Sequence, residues 1–182
     1  MKARMAPAQP PFSDKIQNRL DTIMPQGIPP LVLFTTLARD ERLFSRFMAA
    51  NLLDPGHLTL RQRELVITRI CALSGSEYEW GVHMAFFADR AGFDAAQKGV
   101  LAGTGTADPG WSDDDRLILA MCDELHETCD LSDRTWGSLS ARFGDETILE
   151  MLMLAGFYRT VSYLTNALRL APEAYAPRFA SA

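Results

Sequence analysis

Apolar side chains recur at intervals of three and four positions along most of this chain, which is the spacing of one face of an α-helix. The periodic segments begin near residue 29 and are separated by short segments rich in glycine, proline and polar residues. The pattern therefore predicts a chain of helices. They cover residues 29–53 with a break near Asp40, two helices within 58–92 joined at Ser74-Gly75, residues 94–101, a helix from Ser112, a short one from Ser132 to 143, and residues 145–170.

Helix starts are marked by a serine or threonine followed three positions later by an acidic residue or glutamine, a pattern typical of a capping box. The pairs are Thr59 with Gln62, Ser76 with Glu79, and Ser112 with Asp115. In a capping box, each of the two side chains accepts a hydrogen bond from a backbone amide of the first turn. We expect Ser76 to cap its helix, and Glu79 either to complete the box or to act beside His83.

The periodicity also predicts which side chains are buried. The last helix differs from the others because it is apolar nearly all round, and we expect a second copy of the chain to cover part of it. The predicted inward residues are Leu33, Leu37, Leu43, Phe44 and Phe47 in the first helical segment, and Leu117, Ile118, Met121 and Leu125 in the helix after Ser112.

A polar constellation lies within the two helices of residues 58–92. Ser76, Glu79, His83 and Phe87 are spaced three and four apart, so they share one helix face. On the preceding helix Glu64 shares its face with apolar residues, where a carboxylate needs a partner. Two short helices joined by a tight turn place Glu64 near His83. A glutamate and a histidine in an apolar pocket are suited to proton transfer near neutral pH.

At these residues the sequence resembles the carboxymuconolactone decarboxylase and alkylhydroperoxidase D superfamily. The family pattern is a glutamate, eleven residues, Cys-x-x-Cys, three residues and a histidine. Glu64, Ser76, Glu79 and His83 match this spacing throughout. The resemblance implies an all-α, alkylhydroperoxidase D-like helical bundle that is oligomeric. The resemblance covers roughly residues 30 to 170. Outside the motif it rests on the pattern of the flanking helices alone.

Ser76 and Glu79 stand where the peroxidases of this superfamily have their two cysteines, and without thiols there is no disulfide exchange. The resemblance therefore favours the decarboxylase-like members, with Glu64 and His83 as acid and base. We expect a cofactor-free lyase or decarboxylase acting on a small carboxylate or lactone. Two alternatives stay open: a peroxidase-related enzyme that uses another thiol, for which Cys71 is the nearest candidate, and a non-catalytic binding or stress protein.

The candidate catalytic residues are His83 and Glu64, which the resemblance implies, and Glu79, which replaces a family cysteine and is a candidate because it lies beside the His83 face. Trp80 and Phe86 are assigned to the core, and small residues such as Gly81 are expected to let another helix approach closely. The candidates for binding the substrate are Ser76, Tyr78, Phe87 and Arg90.

No metal or other cofactor is expected. Cys122, His126 and Cys129 lie at helical spacing, but they flank a core stripe and have no obvious fourth ligand, so we interpret them as structural.

Length and charge narrow the class of protein further. The 182 residues suit a single domain over residues 13–182, preceded by a proline-rich arm at residues 1–12 that we expect to be mobile. A net charge of -5 argues against nucleic acid or an anionic membrane as partner. The three cysteines without a recognisable signal peptide predict a cytoplasmic protein. A small-molecule substrate and a second copy of the chain are the expected partners.

Overall fold

The computed structural model describes residues 3–103 and 108–179, and all regular secondary structure in these ranges is helical. The predicted all-α class is confirmed for these residues. The helices are α1 (Asp14–Ile23), α2 (Val32–Leu37), α3 (Glu41–Ala49), α4 (Leu60–Leu73), α5 (Glu77–Phe87), α6 (Ala95–Leu101), α7 (Asp113–Thr128), α8 (Asp133–Arg142) and α9 (Asp145–Leu168).

Helix α4 is the centre of the bundle. It packs against α5, α7 and α9, and every residue from Glu64 to Cys71 is buried. A helix enclosed on all sides must satisfy any polar side chain internally, because water cannot reach it. The single buried carboxylate of α4 therefore requires a partner from a neighbouring helix.

Several predicted helix boundaries are confirmed. The capping boxes of Thr59 with Gln62 and of Ser112 with Asp115 are both formed. The break near Asp40 is also present, since the Asp40 side chain accepts a hydrogen bond from the Leu43 amide at 2.7 Å and begins α3.

Two features of the N-terminal third differ from the sequence analysis. Leu43, predicted to be buried, is 49 % exposed. Helix α1 was not predicted, because its apolar positions are few within a short polar segment. It forms a small second core, in which Ile16 and Leu20 pack with Phe44 and Met48.

Helix α9 has the predicted position, but in a single copy of the protein part of its surface is exposed to solvent. Its inner face, which includes Met151, Leu154 and Tyr158, is buried in the main core. On its outer face Leu149, Met153 and Tyr163 are 59 %, 55 % and 61 % exposed.

The segment after α9 returns across α5. Phe179 donates its amide to Glu77 at 2.8 Å and packs its ring 5.0 Å from that of Trp80. A β-carbon at Gly81 would lie 2.5 Å from the carbonyl oxygen of Pro177, so this crossing requires glycine. The predicted close neighbour of Gly81 is therefore this non-helical segment rather than a helix.

The N-terminal arm contacts the bundle where it is described. Ala8 donates its amide to the carbonyl of Thr35, and Arg4 donates its amide to the carbonyl of Leu168. Residues 1 and 2 lie outside the described residues, and the mobility of the arm stays a prediction. None of the described helices has the length and hydropathy needed to cross a membrane.

Candidate active site

The buried Glu64 of α4 is paired with His83 of α5, as the spacing suggested. His83 Nδ1 lies 2.7 Å from Glu64 Oε2, and the two residues are 3 % and 0 % exposed. The short turn at Ser74-Gly75, where Gly75 has a φ of +63°, folds α5 back onto α4. Glu64 accepts a hydrogen bond from Nδ1, so Nε2 is the imidazole nitrogen that can contact other side chains or a ligand.

The second oxygen of Glu64 is held by its chain neighbour. Arg63 Nε donates to Glu64 Oε1 at 3.1 Å, and Arg63 Nη1 donates to the carbonyl of Leu53 at 3.1 Å. Both carboxylate oxygens are thus occupied. Glu64 orients the imidazole and has no free oxygen for a ligand.

Two side chains meet Nε2 of His83. The hydroxyl of Tyr158, on α9, lies 3.0 Å away, and Oε1 of Glu79 lies 3.5 Å away. The Tyr158 ring stands edge-on to the imidazole, with ring centroids 5.1 Å apart. The histidine is therefore flanked by one carboxylate at each nitrogen and by a phenol.

This arrangement opens into a cavity of about 350 Å³ between α5, α9 and the N-terminal helices. Glu79, His83 and Tyr158 line it, whereas Glu64 lies behind the imidazole. The volume is that of a small-molecule site. The remaining lining residues are mostly apolar: Thr22, Ile23, Met24, Pro25, Leu31, Phe34, Phe47, Asn51, Leu53, Val82, Phe86, Phe87, Arg90 and Phe157.

The surrounding charges set the protonation of the site. Burial lowers the pKa of His83, but the negative charges of Glu64 and Glu79 outweigh burial and raise the pKa to about 9. Burial, together with Glu79 and Glu64, raises the pKa of the Tyr158 phenol well above its ordinary value. At neutral pH both groups hold a proton that can be donated.

Glu79 has one carboxylate oxygen without a partner. The residue is 6 % exposed, and its Oε2 is buried with no hydrogen-bond donor among the described residues. An unsatisfied carboxylate oxygen is costly in a protein interior. Because the Glu79 side chain lines the cavity, a small rotation of its carboxylate would bring Oε2 to a bound molecule that carries an O–H or N–H group.

Ser76 does not cap α5, so this predicted capping box is wrong. Its hydroxyl lies 2.8 Å from that of Thr165 on α9, and Ser76 is fully buried. The helix N-terminus is thereby fixed to α9 by a side-chain contact, and Glu79 is released to face the cavity. Ser76 is not among the residues that line the cavity.

Tyr78 is also outside the cavity lining. Its hydroxyl donates to Glu173 Oε1 at 2.5 Å and accepts from the Leu33 amide at 3.1 Å. It therefore ties α5 to the start of α2 and to the segment after α9. The structure gives Tyr78 this structural contact in place of the predicted contact with substrate.

Phe87 and Arg90 do line the cavity. The Phe87 ring lies 5.3 Å from the imidazole of His83, and the guanidinium groups of Arg63 and Arg90 each lie 5.5 Å from the Phe87 centroid. Cation–π contact holds these cations near the site. Phe86, assigned to the core, lines the same cavity, whereas Trp80 is buried as predicted.

Tyr158 was missed by the sequence analysis. It lies within an apolar run of α9 and has no spacing relation to Glu64 or His83 in the sequence. The only available signal was that a buried tyrosine usually finds a polar partner for its hydroxyl.

The cysteines are poor candidates for catalysis or metal binding. Cys71 is fully buried, and burial with the nearby Glu79 raises the pKa of its thiol well above the ordinary value. Cys122 is buried, Cys129 is exposed, and His126 accepts from Arg159. Within the described residues no group of three His, Cys, Asp or Glu side chains is placed to hold a metal ion.

Residues 41–112 match the model of the carboxymuconolactone decarboxylase family. A comparison with curated proteins gives no significant match. Among solved structures, an uncharacterised peroxidase-related protein from Silicibacter sp. TM1040 superposes with a TM-score of 0.83, 18% identity and coverage of 98% of this chain and 97% of that chain. The chain is thus similar to this family over residues 41–112, and over nearly its whole length its fold is that of the peroxidase-related protein.

Two further solved structures share the fold at similarly low identity. The alkylhydroperoxidase D core of a peroxidase-related protein from Ralstonia eutropha JMP134 has a TM-score of 0.81, 18% identity and coverage of 96% and 95%. A cysteine-to-alanine variant of the debrominase Bmp8, in complex with 2,3,4-tribromopyrrole, has a TM-score of 0.76, 13% identity and coverage of 96% and 94%. These likenesses confirm the predicted alkylhydroperoxidase D-like fold.

Proposed function

We propose that this protein is a cofactor-free acid/base enzyme of the lyase or decarboxylase type, acting on a small carboxylate or lactone. The observation that carries the proposal is the placement of His83. Its Nδ1 is held by Glu64, while its Nε2 faces a small-molecule cavity beside Glu79 and Tyr158. Positioned proton donors and acceptors of this kind accelerate proton transfer by about 10²–10⁴-fold.

The two cavity groups have different roles in this proposal. Glu79, whose Oε2 is free, accepts a proton from the substrate. His83, protonated at neutral pH because its pKa is about 9, donates from Nε2 to the carbanion or enolate that forms. In a decarboxylation the carboxylate leaves as carbon dioxide, and the proton from His83 takes its place on carbon. The hydroxyl group of Tyr158 is a second proton donor, either to the oxygen of the enolate or to the same carbon.

The charges of the cavity also support a carboxylate substrate. Arg90 is exposed and lines the cavity, so a substrate carboxylate can bind its guanidinium. Glu79 and Glu64 disfavour a negative charge deeper in the site, because like charges repel strongly where water is excluded. The carboxylate that binds Arg90 is therefore one that the reaction retains, and the carbon that exchanges or loses its substituent lies at Nε2 of His83.

Hydrogen exchange tests the proposal without a known product. Incubating the protein with a panel of small carboxylates and lactones in deuterated buffer is expected to replace a C–H proton next to a carbonyl with deuterium for at least one compound, measured by proton NMR. Glu79→Gln should abolish the exchange, and Glu127→Gln, at an exposed position, should retain it. Compounds that bind without exchange or turnover would instead favour the non-catalytic binding protein.

Peroxidase activity is expected to be absent. The buried Cys71 has a raised pKa, and Ser76 and Glu79 replace the cysteine pair. Assays with organic hydroperoxides and a dithiol reductant should give no turnover above background. Turnover that is lost in Cys71→Ser but kept in Cys129→Ser, the exposed control, would promote the peroxidase alternative.

We also propose that the protein is a cytoplasmic homo-oligomer. All three cysteines are free, as expected in a reducing compartment, and the outer face of α9 exposes Leu149 and Met153. Light scattering at micromolar concentration is expected to give a mass above the 20.2 kDa of one chain. Replacing Met153 with glutamate should reduce that mass, and a wild-type mass near one chain would contradict the proposal.

A further inference from the structure

Six phenylalanine and tyrosine rings line the cavity. Successive rings are in contact: the centroids of Phe34 and Phe47 lie 6.5 Å apart, those of Phe47 and Phe157 lie 5.1 Å apart, and those of Phe157 and Tyr158 lie 5.5 Å apart. On the side of α5, Phe87 lies 5.3 Å from His83. Aromatic surfaces of this kind favour a flat ring, which stacks or packs edge-on against them.

The deep end of the cavity selects a neutral hydrogen-bond donor. The free Oε2 of Glu79 needs a donor, which excludes a deprotonated carboxylate at that point. A cationic amine is disfavoured as well, because His83 is protonated and meets the same carboxylate at 3.5 Å. A hydroxyl group fits both conditions, since it donates to Glu79 and carries no charge.

We propose that the substrate is a phenolic carboxylic acid, bound with its hydroxyl group at Glu79, its ring between the aromatic walls and its carboxylate at Arg90. This inference rests on the proposed acid/base function and specifies the molecule on which it acts. A phenol also suits that function. Transfer of its O–H proton to Glu79 raises the electron density on the ring carbon next to the hydroxyl group, and that carbon can take a proton from Nε2 of His83. Loss of the carbon's original hydrogen to the same imidazole, with return of the O–H proton from Glu79, restores the aromatic ring, so the net result is exchange of that ring hydrogen.

Calorimetric titration with matched probes tests the three contacts separately. 4-Hydroxybenzoate is expected to bind about tenfold or more tightly than 4-methoxybenzoate, which has no donor for Glu79. It should also bind more tightly than 4-hydroxycyclohexanecarboxylate, which has the donor and the carboxylate but no flat ring.

Variants assign each effect to its residue. Glu79→Leu should remove the preference for hydroxyl over methoxy, whereas Arg90→Gln should weaken both aromatic probes by the same factor and keep the preference. Arg134→Gln, at an exposed position on α8, should change neither. Melting curves of each variant establish that it is folded before it is titrated.

The outcomes separate this inference from the proposed function. Equal binding of the hydroxy and methoxy probes, a preference that persists in Glu79→Leu, or equal binding of the saturated probe would overturn the substrate class. Exchange with aliphatic carboxylates or lactones alone would overturn it too, while the acid/base function would stand. Selective binding of phenolic acids, with no deuterium exchange of a ring hydrogen and no turnover, would support the ligand class and contradict the enzyme.

Discussion

Glu64→Ala is expected to lower the free energy of unfolding by about 3–5 kcal/mol, the usual cost of breaking a buried ion pair from one side. The substitution leaves the buried His83 without the carboxylate at its Nδ1, and it leaves Arg63 without its contact to Oε1. It also creates a void in α4, the most enclosed helix of the bundle.

The size of this loss should depend on pH in a defined direction. In the folded protein the pKa of His83 is raised from 6.5 to about 9, mainly by Glu64 against the opposing effect of burial. The resulting stabilisation is fully present below pH 6.5 and is lost as the pH rises through 9. The variant lacks the principal cause of the raised pKa, so its stability should change less over this range.

Urea unfolding at several pH values between 6 and 9 measures both effects. The gap between wild type and Glu64→Ala should be widest at the acidic end and should narrow towards pH 9. Glu127→Ala, an exposed glutamate on α7, should cost little at any pH. A loss below about 1 kcal/mol, or a gap that grows with pH, would show that Glu64 and His83 are not a coupled charged pair.

The sequence predicted the parts of the site that depend on local spacing. Three- and four-residue intervals placed Glu79, His83 and Phe87 on one face of α5, and the two-residue turn brought that face to Glu64. These relations lie within thirty residues of chain and follow from helix geometry alone.

The parts that depend on distant packing were missed or wrong. Tyr158 reaches His83 only because α9 packs against α5, which no local pattern specifies. Ser76 had the sequence of a capping residue, but a buried hydroxyl next to Thr165 found a tertiary partner instead. Tyr78 was predicted to contact the substrate, whereas its hydroxyl donates to Glu173, which lies far along the chain. Tertiary contacts override local preference at each of these residues.

A tertiary contact also explains why the Glu79 side chain has an unpaired oxygen. A glutamate at the third position of a helix normally returns a hydrogen bond to the capping residue. Because Ser76 is engaged by α9, the Glu79 side chain lies beside Nε2 of His83 with one oxygen unsatisfied. Glu79 therefore lacks both the capping hydrogen bond and a partner for one carboxylate oxygen. A local loss of stability of this kind is characteristic of a functional site.

His83 and Glu64 are expected to act as one catalytic unit. On the true substrate, His83→Ala and Glu64→Gln should each lower kcat/KM by about 100-fold or more, since one removes the proton donor and the other removes the charge that keeps it protonated. Glutamine is chosen at position 64 because it can still accept from Nδ1, so the fold is disturbed less than by alanine. The double variant should lose little more than the worse single variant, because two residues that act on one proton are not additive.

Melting curves recorded beside the rates separate catalysis from stability. If the residues were only structural, activity would fall in step with the folded fraction, and the two effects would multiply in the double variant. In the catalytic case, Glu64→Gln should also move the basic limb of the pH–rate profile to lower pH, because Glu64 is the main cause of the raised pKa of His83. Full activity in folded His83→Ala, together with unfolding of Glu64→Gln, would refute the assignment and leave the pair as a buried structural contact.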